Sequence, residues 1–250
     1  MYGERGRIGL ITLATDASVL PEYQRAMPPG VAVYSAPIVL PRGEVTPAAL
    51  SEMLAGDALE RAAELLSWTE VGVMLFACTS GSLVHGPGWD RELIGRIERA
   101  AGLPGLTTAT AVLAALRALA VGRVAVATPY IDALNAIEAD FLAAAGHDVV
   151  AIEGLACGTD PEIGRLGPAD AMALAARVDR PEADAIFISC TNFHCLEAIA
   201  PLEARHVKPV VTSNQAGAWA ALRTIGVDDD APALGRLFGL PYPVAAGAPA

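Results

Sequence analysis

Val73-Met74-Leu75-Phe76-Ala77-Cys78-Thr79-Ser80 decides the fold once it is set beside Ala185-Ile186-Phe187-Ile188-Ser189-Cys190-Thr191-Asn192. Each stretch opens as a short, continuously apolar run, the pattern of a strand buried on both faces of a parallel sheet. Each then breaks into Cys-Thr and a small polar residue. Working outward, Gly6-Arg7-Ile8-Gly9-Leu10-Ile11 resembles Gly122-Arg123-Val124-Ala125-Val126-Ala127, and both lead into polar turns, Ala14-Thr15-Asp16 and Thr128-Pro129-Tyr130. Downstream, Leu103-Pro104-Gly105-Leu106-Thr107-Thr108 answers Lys208-Pro209-Val210-Val211-Thr212-Ser213. Three echoes in one order, at nearly equal separations, predict two pseudo-symmetric halves facing one another.

Residues 31–34 and 149–152 read as further strands of the same buried kind. Between the strands lie helical stretches. Thr46 is placed to cap a helix with Pro47 in its first position, running toward Trp68. A second spans 131–145 and is closed by Gly146, and a third spans 168–178. Strands alternating with helices imply βαβ units with right-handed crossovers. The fold class expected is α/β, two Rossmann-like halves, each a mostly parallel four-stranded sheet flanked by helices, with the active site in the cleft between them.

The chain has 250 residues, with 17 Lys+Arg against 28 Asp+Glu and a net charge of −11. Phosphate backbones are bound by clustered cations, and Lys208 is the only lysine, so no nucleic-acid partner is expected. No apolar stretch reaches the roughly 18 residues of a membrane span, and residues 1–12 lack the long apolar core of a secretion signal. With four cysteines this argues for a cytoplasmic protein with free thiols and no membrane partner.

Ligands of open α/β sheets gather beyond the carboxyl ends of the strands, where Cys78 and Cys190 stand. Amides at the start of a following helix lower a thiol pKa from about 8.5, so one of the pair is expected to titrate well below that value. Two facing thiols could remove a proton from a carbon acid on one side and return it on the other. A lone cysteine after an apolar strand is more often inert packing. The matched pair outweighs that reading for Cys78 and Cys190, and it stands for Cys157 and Cys195.

The residues Cys78-Thr79-Ser80-Gly81-Ser82, Thr128-Pro129-Tyr130, Ser189-Cys190-Thr191-Asn192 and Thr212-Ser213-Asn214-Gln215-Ala216 carry a resemblance to the aspartate/glutamate racemase superfamily. The branch resembled is that of maleate cis-trans isomerases, arylmalonate decarboxylases and ectoine-utilisation racemase-like proteins. The resemblance implies that Cys78 and Cys190 are the catalytic thiols. It implies that Thr79, Ser80, Tyr130, Thr191 and Asn192 offer donors to a substrate carboxylate and its enolate-like form. It further implies no cofactor, a small carboxylate-containing substrate and a homo-oligomer, dimer or larger. The last helix would return to the first half, so that 1–112 plus 214–240 form one half, 113–213 the other, and 241–250 a flexible tail.

In arylmalonate decarboxylases the first cysteine position is not cysteine, so having both thiols favours proton transfer on two faces or attack by one and protonation by the other. Maleate isomerases carry an asparagine after the first strand, where this chain has Asp16, and a second near Asp160. An ionised Asp accepts hydrogen bonds only and would welcome an ammonium or amide N–H, although Asp16 also suits an Asx-turn or N-cap. The first expectation is therefore a cofactor-independent racemase of an amino acid or its N-acyl derivative. The alternatives are maleate cis-trans isomerisation by thiolate addition, a related decarboxylation, and a non-catalytic carboxylate-binding protein.

Cys190 to Cys195 with His194 matches no common zinc spacing, so no metal is expected. On a helix Cys190 and His194 would share a face, making His194 a candidate for tuning the thiol, with His85 a weaker counterpart for Cys78. His147 and His206 read as solvent-exposed, Asp228-Asp229-Asp230 as a solvated loop, and Trp219 as core. Nucleotide-binding and serine-hydrolase motifs are missing.

Overall fold

The two echoes become the centres of two four-stranded sheets in the computed structural model, which describes residues 2–242. The first sheet holds β1 (Gly6–Leu13), β2 (Val31–Ile38), β3 (Val73–Phe76) and β4 (Gly105–Thr107) in the order β2-β1-β3-β4. The second holds β5 (Arg123–Thr128), β6 (Asp148–Gly154), β7 (Ala185–Ile188) and β8 (Val210–Thr212) in the order β6-β5-β7-β8. Every pairing is parallel, and the two orders are the same.

The helices of the first half are α1 (Val19–Ala26), α2 (Pro47–Ala55), α3 (Ala58–Ser67), α4 (Thr79–Leu83), α5 (Trp89–Ala101) and α6 (Thr108–Ala118). They are followed by α7 (Asp132–Ala144), α8 (Asp160–Ile163), α9 (Pro168–Val178), α10 (Ile199–His206) and α11 (Ser213–Thr224). The core is aliphatic. The inner strands β3 and β7 are wholly buried because they have neighbours on both sides and helices on both faces.

Strands β2 and β6 are sheet edges and are only partly buried, which corrects the reading of 31–34 and 149–152 as strands covered on both faces. β2 also runs on through Pro37, which an edge strand tolerates because one of its sides has no ladder to break. The single helix expected over 46–68 is two. Thr46 does cap the first, accepting the Ala49 N–H at 3.2 Å, but Gly56 turns extended (ψ −159°) and separates α2 from α3. The helix over 131–145 is α7, with Gly146 just beyond it at φ +91°.

α11 is buried along nearly its whole length, packed against α1, α6 and β3, with Trp219 inside and its indole N–H donating to the Leu240 carbonyl at 2.9 Å. The start of this helix, Ser213 and Asn214, is thereby carried beneath both Cys-Thr turns. His147 and His206 are not exposed as expected. His147 is buried with Nδ1 on the Val121 carbonyl (2.9 Å), and the His206 ring meets Asp179 (2.8 Å). The Asp228–Asp230 loop is tied down by Arg5, which pairs with Asp229. Of the tail expected over 241–250, Tyr242 packs on Trp219, and 243–250 lie outside the described residues. Among the described residues no helix is long and apolar enough to cross a membrane.

Candidate active site

Cys78 leaves β3 in an extended conformation (φ −153°) and caps α4, its Sγ accepting the Gly81 N–H at 3.3 Å with the Ser80 hydroxyl at 4.0 Å. Gly81 is required by this close approach: a Cβ there would stand 2.9 Å from the sulfur and 3.2 Å from the Phe76 ring. Cys190 leaves β7 differently. Its φ is +98°, a region L residues seldom enter, and no helix follows. The irregular path of 189–195 removes the helical face that Cys190 and His194 were expected to share. His194 instead meets Glu197 at 2.7 Å, and His85 stacks edge-on against Trp89, so neither is aimed at a thiol.

The two turns are joined under the cavity by one hydroxyl. Ser213 Oγ accepts from the Thr79 hydroxyl at 2.8 Å and from the Cys190 N–H at 3.0 Å. Asn214 adds a second tie, donating to the Thr191 carbonyl and to buried Glu22, both at 2.7 Å. The Tyr130 turn is braced by Thr128, whose Oγ1 accepts the Tyr130 N–H at 3.1 Å and whose hydroxyl donates to Asn135. Gly154 makes room for it, since a Cβ there would fall 2.2 Å from the Tyr130 carbonyl oxygen. The Tyr130 hydroxyl stands beside the Cys190 sulfur, and the Asn192 N–H also faces it.

Cys78, Thr79, Ser80, Tyr130, Cys190 and Thr191 all line one enclosed cavity, together with Asp160 and an apolar wall of Leu13, Leu40, Val45 and Leu50. Its atom-free space is about 250 Å³, in which the centre of a water has about 10 Å³, room for about one water molecule. The strap carrying Leu40 and Val45 closes it. Val45 N–H donates to the Gly158 carbonyl at 2.9 Å, and Glu44 bridges Thr159 antiparallel across the cleft.

Asn192 does not line the cavity. Its side-chain oxygen accepts the Ala17 N–H and its amide donates to the Asp160 carbonyl, both at 2.9 Å, so it stitches the halves together. Asp16 lies just behind the wall. Its Oδ1 accepts the Ser18 and Val19 N–H groups at 2.9 and 2.8 Å, the Asx arrangement at the start of α1, while its Oδ2 is buried without a partner. Asp160 accepts the Thr15 hydroxyl at 2.6 Å.

The electrostatics overturn one expectation. Neither thiol is lowered: burial pushes Cys78 up to about 12 against the opposing Gly81 N–H, and burial pushes Cys190 well above its ordinary range. The carboxyls of Asp160 and Asp16 add to both shifts, and no cationic side chain lines the cavity. Burial likewise raises Asp16 to about 7, with Asp160 adding to it, and raises Asp160 itself.

Sequence reading missed the apolar wall, the Ser213 link and a second buried acid, Glu138. The last had a signal: it interrupts the apolar stripe of α7 between Leu134 and Phe141. Leu40, Val45 and Leu50 had none, because only the strap's path across the cleft brings them to the thiols.

The arylmalonate decarboxylase family model matches residues 8–238. The chain is 35% identical to the arylmalonate decarboxylase of Bordetella bronchiseptica over 78% of this chain and 82% of that protein. It is 28% identical to the maleate isomerase of Pseudomonas putida over 76% of this chain and 79% of that one. A Nocardia farcinica maleate cis-trans isomerase variant, solved with a covalently bound succinylcysteine intermediate, superposes with a TM-score of 0.87 at 26% identity, covering 93% of this chain and 98% of that one. The superfamily branch and the two-sheet fold read from the sequence are those of these proteins. The chain therefore belongs to the arylmalonate decarboxylase family, enzymes among which isomerases and decarboxylases share one two-sheet scaffold.

Proposed function

We propose that the chain is a cofactor-independent cis-trans isomerase acting on a carbon–carbon double bond conjugated to a carboxylate. One observation carries this reading: two cysteines, with Thr79, Ser80, Tyr130 and Thr191, line a single enclosed cavity. Cys78 gives its proton to the substrate carboxylate as its sulfur adds to one alkene carbon, forming a C–S bond and moving the π electrons onto the neighbouring carbon and its carboxylate. Hydroxyl and amide donors hold the resulting enediolate. Cys190 delivers its proton to that carbon, the new single bond turns, Cys190 takes the proton back, and the C–S bond breaks as the first proton returns to Cys78, releasing the other geometric isomer. Atoms balance and no redox partner is needed. The succinylcysteine seen in the Nocardia farcinica enzyme supports the addition step.

Amino-acid racemisation, the first expectation from sequence, takes second place because the relatives are isomerases of maleate and a decarboxylase. The observation in its favour is the acid pair, Asp16 with a buried unpartnered oxygen and Asp160 in the cavity wall, which suits an ammonium or amide N–H at the substrate's far end.

The test is incubation with maleate, fumarate followed by NMR, and intact mass taken alongside. Wild type should form fumarate, and Cys190→Ala should hold a succinyl adduct on Cys78. Fumarate formation by Cys78→Ala would overturn the proposal. Deuterium entering the α-carbon of an amino acid in heavy water, with maleate untouched, would favour racemisation.

A further inference from the structure

Glu138 is a carboxyl group that the proposed reaction does not use, and it is enclosed by protein on every side. It stands on the inner face of α7 and is only 1% exposed. Its Oε1 accepts a 2.7 Å hydrogen bond from the Ser189 hydroxyl, and its Oε2 is buried with no partner. A carboxyl in such a place is costly unless it holds something that matters more. What it holds is the residue immediately before Cys190.

Ser189 is fully buried at the end of β7, its N–H donating to the Ala127 carbonyl of β5 at 2.8 Å. On the far side, the Cys190 N–H is fixed on Ser213 Oγ. Between these two anchors Cys190 keeps its φ of +98°. A non-glycine residue stays in that region only while its surroundings over-determine it.

We propose that Glu138 is a positioning residue for Cys190, locking Ser189 through its hydroxyl so that the strained backbone keeps the thiol turned into the cavity and against Tyr130. Tyr130 lies just ahead of α7, the helix that carries Glu138. Thiol and phenol are thus referenced to one rigid element, which fixes the donor–acceptor pair with the small tolerance that proton delivery needs. Burial holds the Tyr130 hydroxyl well above its ordinary range, and the Cys190 sulfur and the Glu138 carboxyl add to this, which keeps the phenol a donor.

The inference rests on Cys190 being a reacting thiol, and the experiment has an arm that needs no substrate. Glu138→Ala, Ser189→Ala and Glu138→Gln are compared with wild type by site-resolved iodoacetamide labelling and by kcat and KM for maleate. Glutamine keeps an acceptor of the same shape. In Glu138→Ala and Ser189→Ala, Cys190 labelling should fall about tenfold with Cys78 unchanged, and kcat about ten- to a hundredfold with KM nearly constant. Glu138→Gln should stay within about threefold of wild type on both measures. Wild-type labelling of Cys190 in either alanine variant overturns the proposal, as does a Gln variant as impaired as Ala. Loss at both thiols together with a lowered Tm marks a merely structural role and also overturns it. Selective loss at Cys190 in a protein that never turns over maleate supports the positioning role and faults the functional reading instead.

Discussion

Cys78 and Cys190 occupy equivalent places in two sheets of the same strand order, and they are held in opposite ways. Cys78 sits on ordinary extended backbone, caps a short helix and receives a backbone N–H on its sulfur. Cys190 sits at φ +98°, has no helix directly after it and stands beside a phenol. A backbone amide at a helix start favours the anionic form of its sulfur, which suits a nucleophile. Burial holds the Cys190 thiol well above its ordinary range against the opposing Tyr130 hydroxyl and Asn192 N–H, which suits a group that keeps and delivers a proton. The matched strand order sets where the sulfurs lie, and the differing turns set how each one is held.

That comparison breaks most decisively at the thiols themselves. Cys78→Ala should lose isomerisation by about a thousandfold or more and form no adduct. Cys190→Ala should lose comparable turnover yet still load substrate onto Cys78. Equal adduct patterns in intact mass would mean that the two sulfurs are interchangeable.

Next in size is Tyr130→Phe, which removes the donor from the Cys190 side alone. Its kcat should fall about a hundredfold, and labelling kinetics should change at Cys190 and not at Cys78. Gly81→Ala is the mirror experiment. The added methyl, 2.9 Å from the Cys78 sulfur, should slow labelling of Cys78 about tenfold and spare Cys190.

Asp16→Asn is the smallest and acts on both thiols alike, since the Asp16 carboxyl opposes ionisation of each. Each thiol should label about two- to threefold faster. The same variant tests linkage. Burial raises the folded carboxyl to about 7, above the ~3.9 of an unfolded chain, so its contribution to stability is full below about pH 4 and is lost as pH rises through 7. Asp16→Asn should flatten part of that fall, raising Tm at pH 8 by about 2–4 °C for each kcal/mol regained and leaving Tm at pH 4 nearly unchanged. Glu138, which burial also raises to about 7, contributes to the slope that remains, together with the raised carboxyls of Glu22 and Asp160.

Much of the fold was legible because burial leaves a periodic mark. The apolar runs became β1, β3, β5 and β7, and 168–178 became α9 to the residue. Thr46 and Pro47 marked a helix start through chemistry confined to a few neighbouring residues. The break at Gly56 was less visible, since one glycine within a helical pattern is ordinarily tolerated. Legibility ended where a partner lay far along the chain. Nothing beside Cys190 announces that Ser213 will take its N–H, that Glu138 will hold its neighbour, or that the following residues will avoid a helix.

By itself the sequence determined two repeated α/β halves and a cysteine at the same strand end in each, because strand and turn are written in local patterns of size and polarity. Tertiary structure alone decided that the two thiols share a cavity with room for about one water, that burial and two carboxyls raise the pKa of both, and that their turns differ. Desolvation and long-range hydrogen bonds depend on which distant segments pack together, and no short stretch of sequence contains that.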